Sequence, residues 1–371
     1  MIRFLDLGPT TEEITGEVAA GWDEVLRTGR FIGGPFVDEF ERGFAEYCGT
    51  AHAIGVANGT DALHLALRAM DIGPDDEVVV PTNTFVATAE AVVLAGAVPR
   101  FADVDNDTLL LTPETLRAAV TPSTKAVVVV HLYGQMADMD ALGRTTAELD
   151  IKLIEDAAQA QGARWRDVRA GAWGSVGCFS FYPGKNLGAF GDAGAVVTSD
   201  GEIAERIRSI RDHGRANGGH YQHDRFGVNS RLDALQAVVL AAKLPLLDGW
   251  NAQRRELADH YRRCLDPDGA KLVTVAPEAE AIHHLAVAQV RNRDQVREAL
   301  LARGIETGIH YPTPCHRLPP YASYFGNGAL PVSEAAAERI VSLPLYPHMT
   351  MAQVETVAAE LNHVVERGAA A

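Results

Sequence analysis

Residues 125–134 read KAVVVVHLYG, and residues 152–158 read KLIEDAA. Each stretch is a short, continuously apolar run, which is typical of a strand buried on both faces of a sheet. Further apolar runs lie at 77–81, 177–183 and 194–199, and helical patterns separate several of them. The sequence therefore predicts an α/β fold with a mostly parallel sheet that helices cover on both faces.

The pattern changes after about residue 200, and this change predicts two domains. Within the 371 residues we expect a large α/β domain over residues 1–245 and a smaller C-terminal α/β domain over residues 246–371, in keeping with roughly 150 residues per domain. An opening helix near residues 10–28 is compatible with packing on either domain. The helical patterns at 232–244 and 351–366 belong to the first and the second domain, respectively.

Composition and charge exclude several classes of protein. The formal net charge of −16 argues against sequence-independent binding of nucleic acids through their phosphates. No apolar run approaches the roughly 18 residues of a membrane span. The N-terminal MIRFLDLGPTTEE has no apolar signal core, so we expect a cytoplasmic protein. Four cysteines without a CxxC pair favour free thiols in a reducing compartment; they are Cys48, Cys178, Cys264 and Cys315.

Three segments place reactive side chains after predicted strands, where ligands of α/β sheets bind. The first, NGTD at 58–61, opens a predicted helix; its free amides suit a phosphate group, although a plain N-cap explains the same residues. The second contains Asp156, whose carboxylate either meets a cationic ring nitrogen or caps the next helix. The third is SFYPGKNLGAFGDAG at 180–194, a glycine-rich turn between two strands.

The chain contains only five lysines, and one of them, Lys185, lies on that glycine-rich turn. Lys125 and Lys152 open buried strands, where we expect them to point to water. Lys243 ends a helix, where a cation suits the helix dipole, and Lys271 lies in an irregular loop. If one lysine forms a Schiff base, its position selects Lys185. Such a lysine needs partial desolvation, which three flanking aromatic residues could supply: Phe181, Tyr182 and Phe190.

Three long motifs, in this order, resemble the DegT/DnrJ/EryC1/StrS family of sugar aminotransferases. They are EDAAQAQGA at 155–163, SFYPGKNLGAFGDAGA at 180–195 and FGVNSRLDALQA at 226–237. The resemblance extends from FLDL at 4–7 to SLPLYPHM at 342–349. It implies an enzyme of pyridoxal 5′-phosphate (PLP) with the aspartate aminotransferase-like fold, fold type I, in which a large domain with a mostly parallel sheet is joined to a smaller α/β domain.

The resemblance also implies roles around the cofactor. Lys185 matches the lysine that holds PLP through a Schiff base, and Asp156 matches the carboxylate that pairs with the pyridinium nitrogen and keeps the ring an electron sink. Gln159 matches a position beside the ring, and Phe85 matches the aromatic residue that stacks on it. Three further positions match ligands of the cofactor phosphate: Gly59, Thr60 and Ser180.

Other matched positions concern the second subunit and the substrate. Asn229 resembles the asparagine that reaches the phosphate from the neighbouring subunit, so the resemblance implies a homodimer with shared active sites. Phe31 lies in a loop, residues 29–33, similar to one that approaches the sugar nucleotide. Arg231 either binds the carboxylate of the amino donor or braces its own loop. Three positions match residues that line the sugar pocket: Tyr182, His310 and Tyr311.

The activity implied by the resemblance is amino transfer from glutamate to a nucleotide-linked keto-deoxysugar, giving an aminodeoxy sugar for antibiotic or glycan biosynthesis. PLP would cycle through pyridoxamine 5′-phosphate (PMP), with Lys185 as general base and acid. The motifs are more similar to members acting at C3 of TDP-3-keto-6-deoxyhexoses than to members acting at C4. The alternatives are C4 amination of a TDP-4-keto-6-deoxyhexose, a PLP- or PMP-dependent sugar dehydratase, and a non-catalytic regulatory protein. Lys185 argues against the dehydratase, because such members carry histidine there.

A polar segment, RANGGHYQHDRFG at 215–227, precedes the third motif. The histidines in and beside it, His213, His220 and His223, are of a residue type that binds metals. Their arrangement provides no ligand set, and the resemblance implies a loop near the sugar nucleotide instead. The sequence therefore predicts no metal site.

Overall fold

The computed structural model describes residues 1–216 and 221–369, and a central sheet organises it. The strands are β1 (His52–Val56), β2 (Glu77–Pro81), β3 (Val98–Ala102), β4 (Thr124–Val130), β5 (Lys152–Asp156), β6 (Arg164–Trp165), β7 (Val168–Arg169), β8 (Val176–Ser180), β9 (Gly194–Thr198), β10 (Ala270–Leu272), β11 (Ala279–Glu280), β12 (Ala286–Val290) and β13 (Ile340–Leu343).

Helices surround this sheet and a smaller one. They are α1 (Gly8–Thr28), α2 (Pro35–Cys48), α3 (Gly59–Ala69), α4 (Val86–Leu94), α5 (Pro113–Ala119), α6 (Met139–Leu149), α7 (Gly201–Arg211), α8 (Ala234–Lys243), α9 (Leu247–Cys264), α10 (Arg293–Ala302), α11 (Ala322–Phe325), α12 (Pro331–Arg339) and α13 (Met351–Ala369). Short 3₁₀ turns occupy Leu132–Gly134, Leu244–Leu246, Cys315–Arg317 and Pro319–Tyr321.

The central sheet has seven strands in the order β1-β9-β8-β5-β4-β2-β3. The five strands from β8 to β3 are parallel, whereas β9 runs antiparallel to both of its neighbours. The prediction of a mostly parallel sheet is thus confirmed. The carboxyl ends of β4, β5 and β8 meet at one edge. Val130 is paired with Asp156 there, Asp156 is paired with Cys178, and Ser180 ends β8 two residues later.

Three strand predictions extend two or more residues too far. In the run at 152–158 the strand ends at Asp156. The run at 125–134 forms a strand only as far as Val130, because the chain then bends into the 3₁₀ turn, where Tyr133 has a φ of 64°. The run at 177–183 leaves the sheet after Ser180. Leu132 and Tyr182, which follow the ends of β4 and β8, line the cavity at the carboxyl edge of the sheet.

A second hydrophobic core lies in the C-terminal part of the chain. Its buried residues fall between Leu257 and Leu361, and they pack around the three-stranded sheet β10-β12-β13. The division of the chain at residue 245 stays a prediction. The opening helix α1 packs on α8, where Trp22 Nε1 donates a hydrogen bond to the carbonyl oxygen of Leu235 at 2.9 Å.

The lysines set aside by the sequence argument do not all behave as expected. Lys125 and Lys152 are exposed, in agreement with the prediction. Lys271 lies within β10, so the prediction of an irregular loop there is wrong. Lys243 ends α8, as predicted, but it is only 5% exposed. Its Nζ donates to the carbonyl oxygen of Gly188 at 2.6 Å and lies 4.9 Å from the centre of the Phe190 ring.

Cysteines and candidate metal ligands add little to the fold. All four cysteines are free thiols. No helix in the described part of the chain has the length and apolar character needed to cross a bilayer. His220 lies outside the described residues. Within residues 1–216 and 221–369, no three metal-ligating side chains come together.

Candidate active site

A cavity of about 470 Å³ lies at the carboxyl edge of the central sheet. The ends of β4, β5 and β8 form its floor, and residues 284–285 and 310–311 from the C-terminal part of the chain close it from above. Ten of the thirteen predicted site residues line it: Gly59, Thr60, Phe85, Asp156, Gln159, Ser180, Tyr182, Lys185, His310 and Tyr311.

Asp156 ends β5 and is only 6% exposed. Thr88 Oγ1 donates to its Oδ2 at 2.7 Å, and the backbone N–H of Ala158 donates to its Oδ1 at 3.1 Å. Burial raises the pKa of the Asp156 carboxyl, and these two hydrogen bonds oppose the effect, as does the charge of Lys185. Because the Thr88 proton goes to the carboxylate, Thr84 must donate across the 2.8 Å contact between the two threonine hydroxyls.

Lys185 lies on the turn after β8, where its backbone N–H donates to the carbonyl oxygen of Tyr182 at 2.8 Å. Burial lowers the pKa of Lys185 to about 8, and the nearby Asp156 carboxylate opposes this change. An amine with such a pKa populates both protonation states near neutral pH. Within the described residues, the Lys185 Nζ has no hydrogen-bond partner.

The N-terminus of α3 faces the cavity beside Ser180. Asn58 caps the helix, because its Oδ1 accepts from the Asp61 backbone N–H at 2.8 Å. The N–H groups of Gly59 and Thr60 have no acceptor among the residues that the structure describes. A Cβ atom at Gly59 would lie 2.6 Å from the Cβ atom of Ser180, so only glycine fits this position without a shift. The helix start therefore leaves two free amides in a confined space, an arrangement that suits an anion.

Gln159 is fixed in one orientation by two tyrosines. Its Oε1 accepts a hydrogen bond at 2.7 Å from the backbone N–H of Tyr133, and a backbone N–H can only donate. Its Nε2 therefore faces the Tyr311 hydroxyl, at 3.0 Å. The Phe85 ring lies 5.3 Å from the Tyr311 ring and is 51% exposed, so a large aromatic face is available in the wall of the cavity.

His310 contributes a neutral imidazole. Its Nδ1 lies 2.8 Å from the Ser342 Oγ, and its ring stacks on Phe4 with ring centres 5.7 Å apart. Burial, together with the charge of Lys185, lowers the pKa of His310 to about 4. Tyr182 lines the same cavity and is 60% exposed, so its side chain is accessible to a ligand.

Three predicted residues do not line the cavity of their own chain: Phe31, Asn229 and Arg231. Phe31 is 45% exposed and Asn229 is exposed. Arg231 Nη1 pairs with Asp212 Oδ1 at 3.0 Å, and both roles considered for Arg231 stay predictions.

The structure also brings in residues that the sequence argument did not assign. Thr84 and Thr88 support Asp156, and His284 lines the cavity close to Lys185. Asn186, next to Lys185 in the chain, is 7% exposed and joined to His284. A threonine at the start of a helix and a histidine before a strand are too common in sequences to reveal such roles.

The comparisons with known proteins agree with this geometry. The model of the DegT/DnrJ/EryC1/StrS aminotransferase family matches residues 12–362. The dTDP-3-amino-3,4,6-trideoxy-α-D-glucose transaminase of Streptomyces venezuelae is 45% identical over 99% of this chain and 97% of its own.

Two crystal structures are similar throughout. S. venezuelae DesV in complex with a ketimine intermediate is 46% identical and superimposes with a TM-score of 0.95 over 99% of both chains. NtdA from Bacillus subtilis with bound cofactor PMP is 31% identical and has a TM-score of 0.92 over 98% of this chain and 85% of its own. The fold is thus that of the fold type I aminotransferases, as predicted, and the chain belongs to the DegT/DnrJ/EryC1/StrS aminotransferase family.

Proposed function

We propose that this protein is a PLP-dependent aminotransferase that converts a nucleotide-linked 3-keto-deoxysugar to the 3-amino sugar, with glutamate as the donor. The observation that carries the proposal is the meeting of Lys185 and Asp156 in one cavity at the carboxyl edge of the sheet. The family and the relatives that act at C3 support the same reaction.

The residues present fit PLP. The two unpaired amides of α3 and the Ser180 hydroxyl suit its phosphate, and the exposed face of Phe85 suits its ring. Asp156 would face the ring nitrogen, since a buried carboxylate with an elevated pKa gains from a cationic partner. When bound, PLP supplies the electron sink that lets an amino group leave one carbon and join another.

Lys185 would hold the cofactor and, when released from it, move a proton between cofactor and substrate. Its pKa of about 8 allows the same amine to accept a proton and then to return it. Asp156 would supply a negative charge in the same cavity. Gln159 presents its amide N–H groups and Tyr311 its hydroxyl in the wall of that cavity.

Three residues would contact the sugar at the mouth of the cavity: Tyr182, His310 and Tyr311. At neutral pH the imidazole of His310 is uncharged, so it recognises a hydroxyl by hydrogen bonding and not by charge. Such contacts suit a neutral hexose.

A homodimer would complete the site. Among the described residues that line the cavity, Lys185 is the only lysine or arginine, although the cofactor phosphate and the sugar diphosphate are both anionic. Asn229 and Phe31 are exposed on their own chain, which leaves them available to the cavity of a second subunit. Arg231, by contrast, is already paired with Asp212.

The decisive experiment offers the purified protein, PLP and glutamate together with either a TDP-3-keto- or a TDP-4-keto-6-deoxyhexose. Mass spectrometry and NMR of the products locate the new amine, and Lys185→Ala is the matched inactive control. An amine at C3 supports the proposal. An amine at C4 would instead identify the alternative, an aminotransferase for TDP-4-keto-6-deoxyhexoses. Loss of a hydroxyl without gain of nitrogen would identify a dehydratase. A protein that stays colourless with PLP would favour the non-catalytic role.

A further inference from the structure

Asn186 follows Lys185 in the chain, and its side-chain amide has a single possible orientation. Its Nδ2 lies 3.2 Å from the carbonyl oxygen of Ile282 and 2.8 Å from the Oδ1 of Asn251. A carbonyl oxygen can only accept, so the NH₂ group must face Ile282. The Oδ1 of Asn186 therefore faces the opposite way, towards His284 at 3.1 Å.

This orientation determines the tautomer of His284. Because Asn186 presents an acceptor, the Nδ1 of His284 must carry the proton. Burial lowers the pKa of His284 well below its ordinary value, and the charges of Lys185, Arg254 and His310 act in the same direction. The ring is therefore neutral, and its Nε2 has a free lone pair.

Two complementary groups without partners thus share one cavity. The Lys185 ammonium is a donor without a hydrogen-bond acceptor, and the His284 Nε2 is an acceptor without a donor, in the part of the chain that the structure describes. Both residues line the cavity, and they are close enough for the charge of one to act on the other.

We propose that His284 is a positioning residue for Lys185: when the released lysine side chain rotates towards His284, the Nε2 of that ring accepts a hydrogen bond from its amine. The proposal rests on the proposed function in that Lys185 must be released during turnover. It gives the released amine a defined acceptor within the cavity. Asn186 then has two roles. Its Nδ2 contacts hold the turn that carries Lys185, and its Oδ1 fixes the tautomer of His284.

The test measures Lys185 directly, without cofactor or substrate. The lysines of the full-length apoprotein are acetylated with limiting acetic anhydride at several pH values, and peptide mass spectrometry gives the rate for each. Two variants are compared. In His284→Asn the side-chain amide replaces the Nδ1 donor but provides no acceptor at the position of Nε2. In His284→Gln the amide oxygen provides an acceptor at the position of Nε2. Exposed Lys125 is the internal reference.

A hydrogen bond to the ammonium favours the charged form, so its loss should increase the ratio of amine to ammonium about tenfold. From a pKa of about 8, this change raises the neutral fraction of Lys185 at pH 7 from about 9% to about 50%. We therefore expect Lys185 to be acetylated about fivefold faster at pH 7 in His284→Asn, His284→Gln to resemble the wild type, and Lys125 to be unchanged in both. If His284→Asn does not fold, judged by near-UV circular dichroism, His284→Phe provides the same comparison.

An unchanged Lys185 rate in His284→Asn or His284→Phe would overturn the inference. So would a rise in KM for the sugar nucleotide at an unchanged Lys185 rate, because His284 would then bind a substrate hydroxyl. A failure of the proposed function has a separate signature, namely a wild-type protein that forms no Schiff base with PLP.

Discussion

Replacing Thr88 by valine removes one hydroxyl group from behind the site while preserving the shape of the side chain. The hydroxyl is buried, and it donates to the Asp156 Oδ2 at 2.7 Å. In the variant, the backbone N–H of Ala158 is the one donor that Asp156 keeps among the described residues. In its proposed role Asp156 is ionised and pairs with the cationic ring nitrogen of PLP, so the variant should bind PLP over a narrower pH range.

The expected size follows from the chemistry of the lost bond. A hydrogen bond to a charged group contributes about 1.5–3 kcal/mol, and each pKa unit corresponds to about 1.4 kcal/mol. The pKa of Asp156, which burial already raises, should therefore increase by about 1 to 2 in the variant. A group required in its ionised form loses function below its pKa, so the pH at which PLP affinity begins to fall should rise by the same amount.

The assay titrates apoprotein with PLP by absorbance between about pH 5 and pH 9 and plots the dissociation constant against pH. Thr88→Ser keeps the hydroxyl and is the first control. Thr84→Val is the second, because it removes the outer hydroxyl of the pair but leaves the bond from Thr88 to Asp156 intact. Thermal unfolding of each variant verifies that it is folded.

The proposed effect of the Thr88 hydroxyl on Asp156 is refuted if Thr88→Val loses PLP affinity at the same pH as Thr88→Ser. It is also refuted if Thr84→Val moves the curve as far as Thr88→Val, because the effect would then reflect general packing behind the site and not the direct bond. A uniform loss of affinity at every pH would likewise point to packing.

Three further predictions address the cofactor site. Lys185→Ala should bind PLP without Schiff-base absorbance, and such absorbance in the variant would contradict the assignment. With a pKa of about 8, about 9% of the Lys185 side chains are neutral at pH 7, roughly 300-fold more than for a lysine of pKa 10.5. The rate at which apoprotein captures PLP should therefore rise about tenfold between pH 7 and pH 9 and then level off. A capture rate that still rises tenfold per pH unit at pH 9 would refute this prediction. Gly59→Ala should weaken PLP binding about tenfold or more through contact with Ser180, whereas Gly143→Ala, which meets no atom within 4 Å, should not.

The sequence predicted the sheet because its strands are continuous apolar runs. β2, β4, β5 and β9 are buried along nearly their whole length, and such runs have few other interpretations. Helix α2 was not assigned, although it shows the signals of a helix. It begins with Pro35, and its buried residues Val37, Phe40, Phe44 and Cys48 recur at intervals of three and four.

The support of Asp156 could not be predicted in the same way. Thr88 lies 68 positions from Asp156 in the chain, and the contact exists because α4 begins beside the end of β5. His284 reaches Asn186 across 98 positions. Such pairs depend on the packing of separate elements, whereas Lys185 and its glycine-rich turn form one continuous motif.

The two buried lysines show why position, and not pKa, decides which amine reacts. Burial lowers the pKa of both Lys185 and Lys243 to about 8. Lys243, however, already donates to the Gly188 carbonyl and lies over the Phe190 ring, so its amine is held within the core. Lys185 has no such partner among the described residues and faces the cavity. Arginine could not replace Lys185, since a guanidinium does not give up its proton in this pH range and cannot form a Schiff base. A reactive lysine thus needs desolvation together with an unpaired amine that reaches the cavity. The sequence pattern identified the position of Lys185 but did not reveal the burial of Lys243.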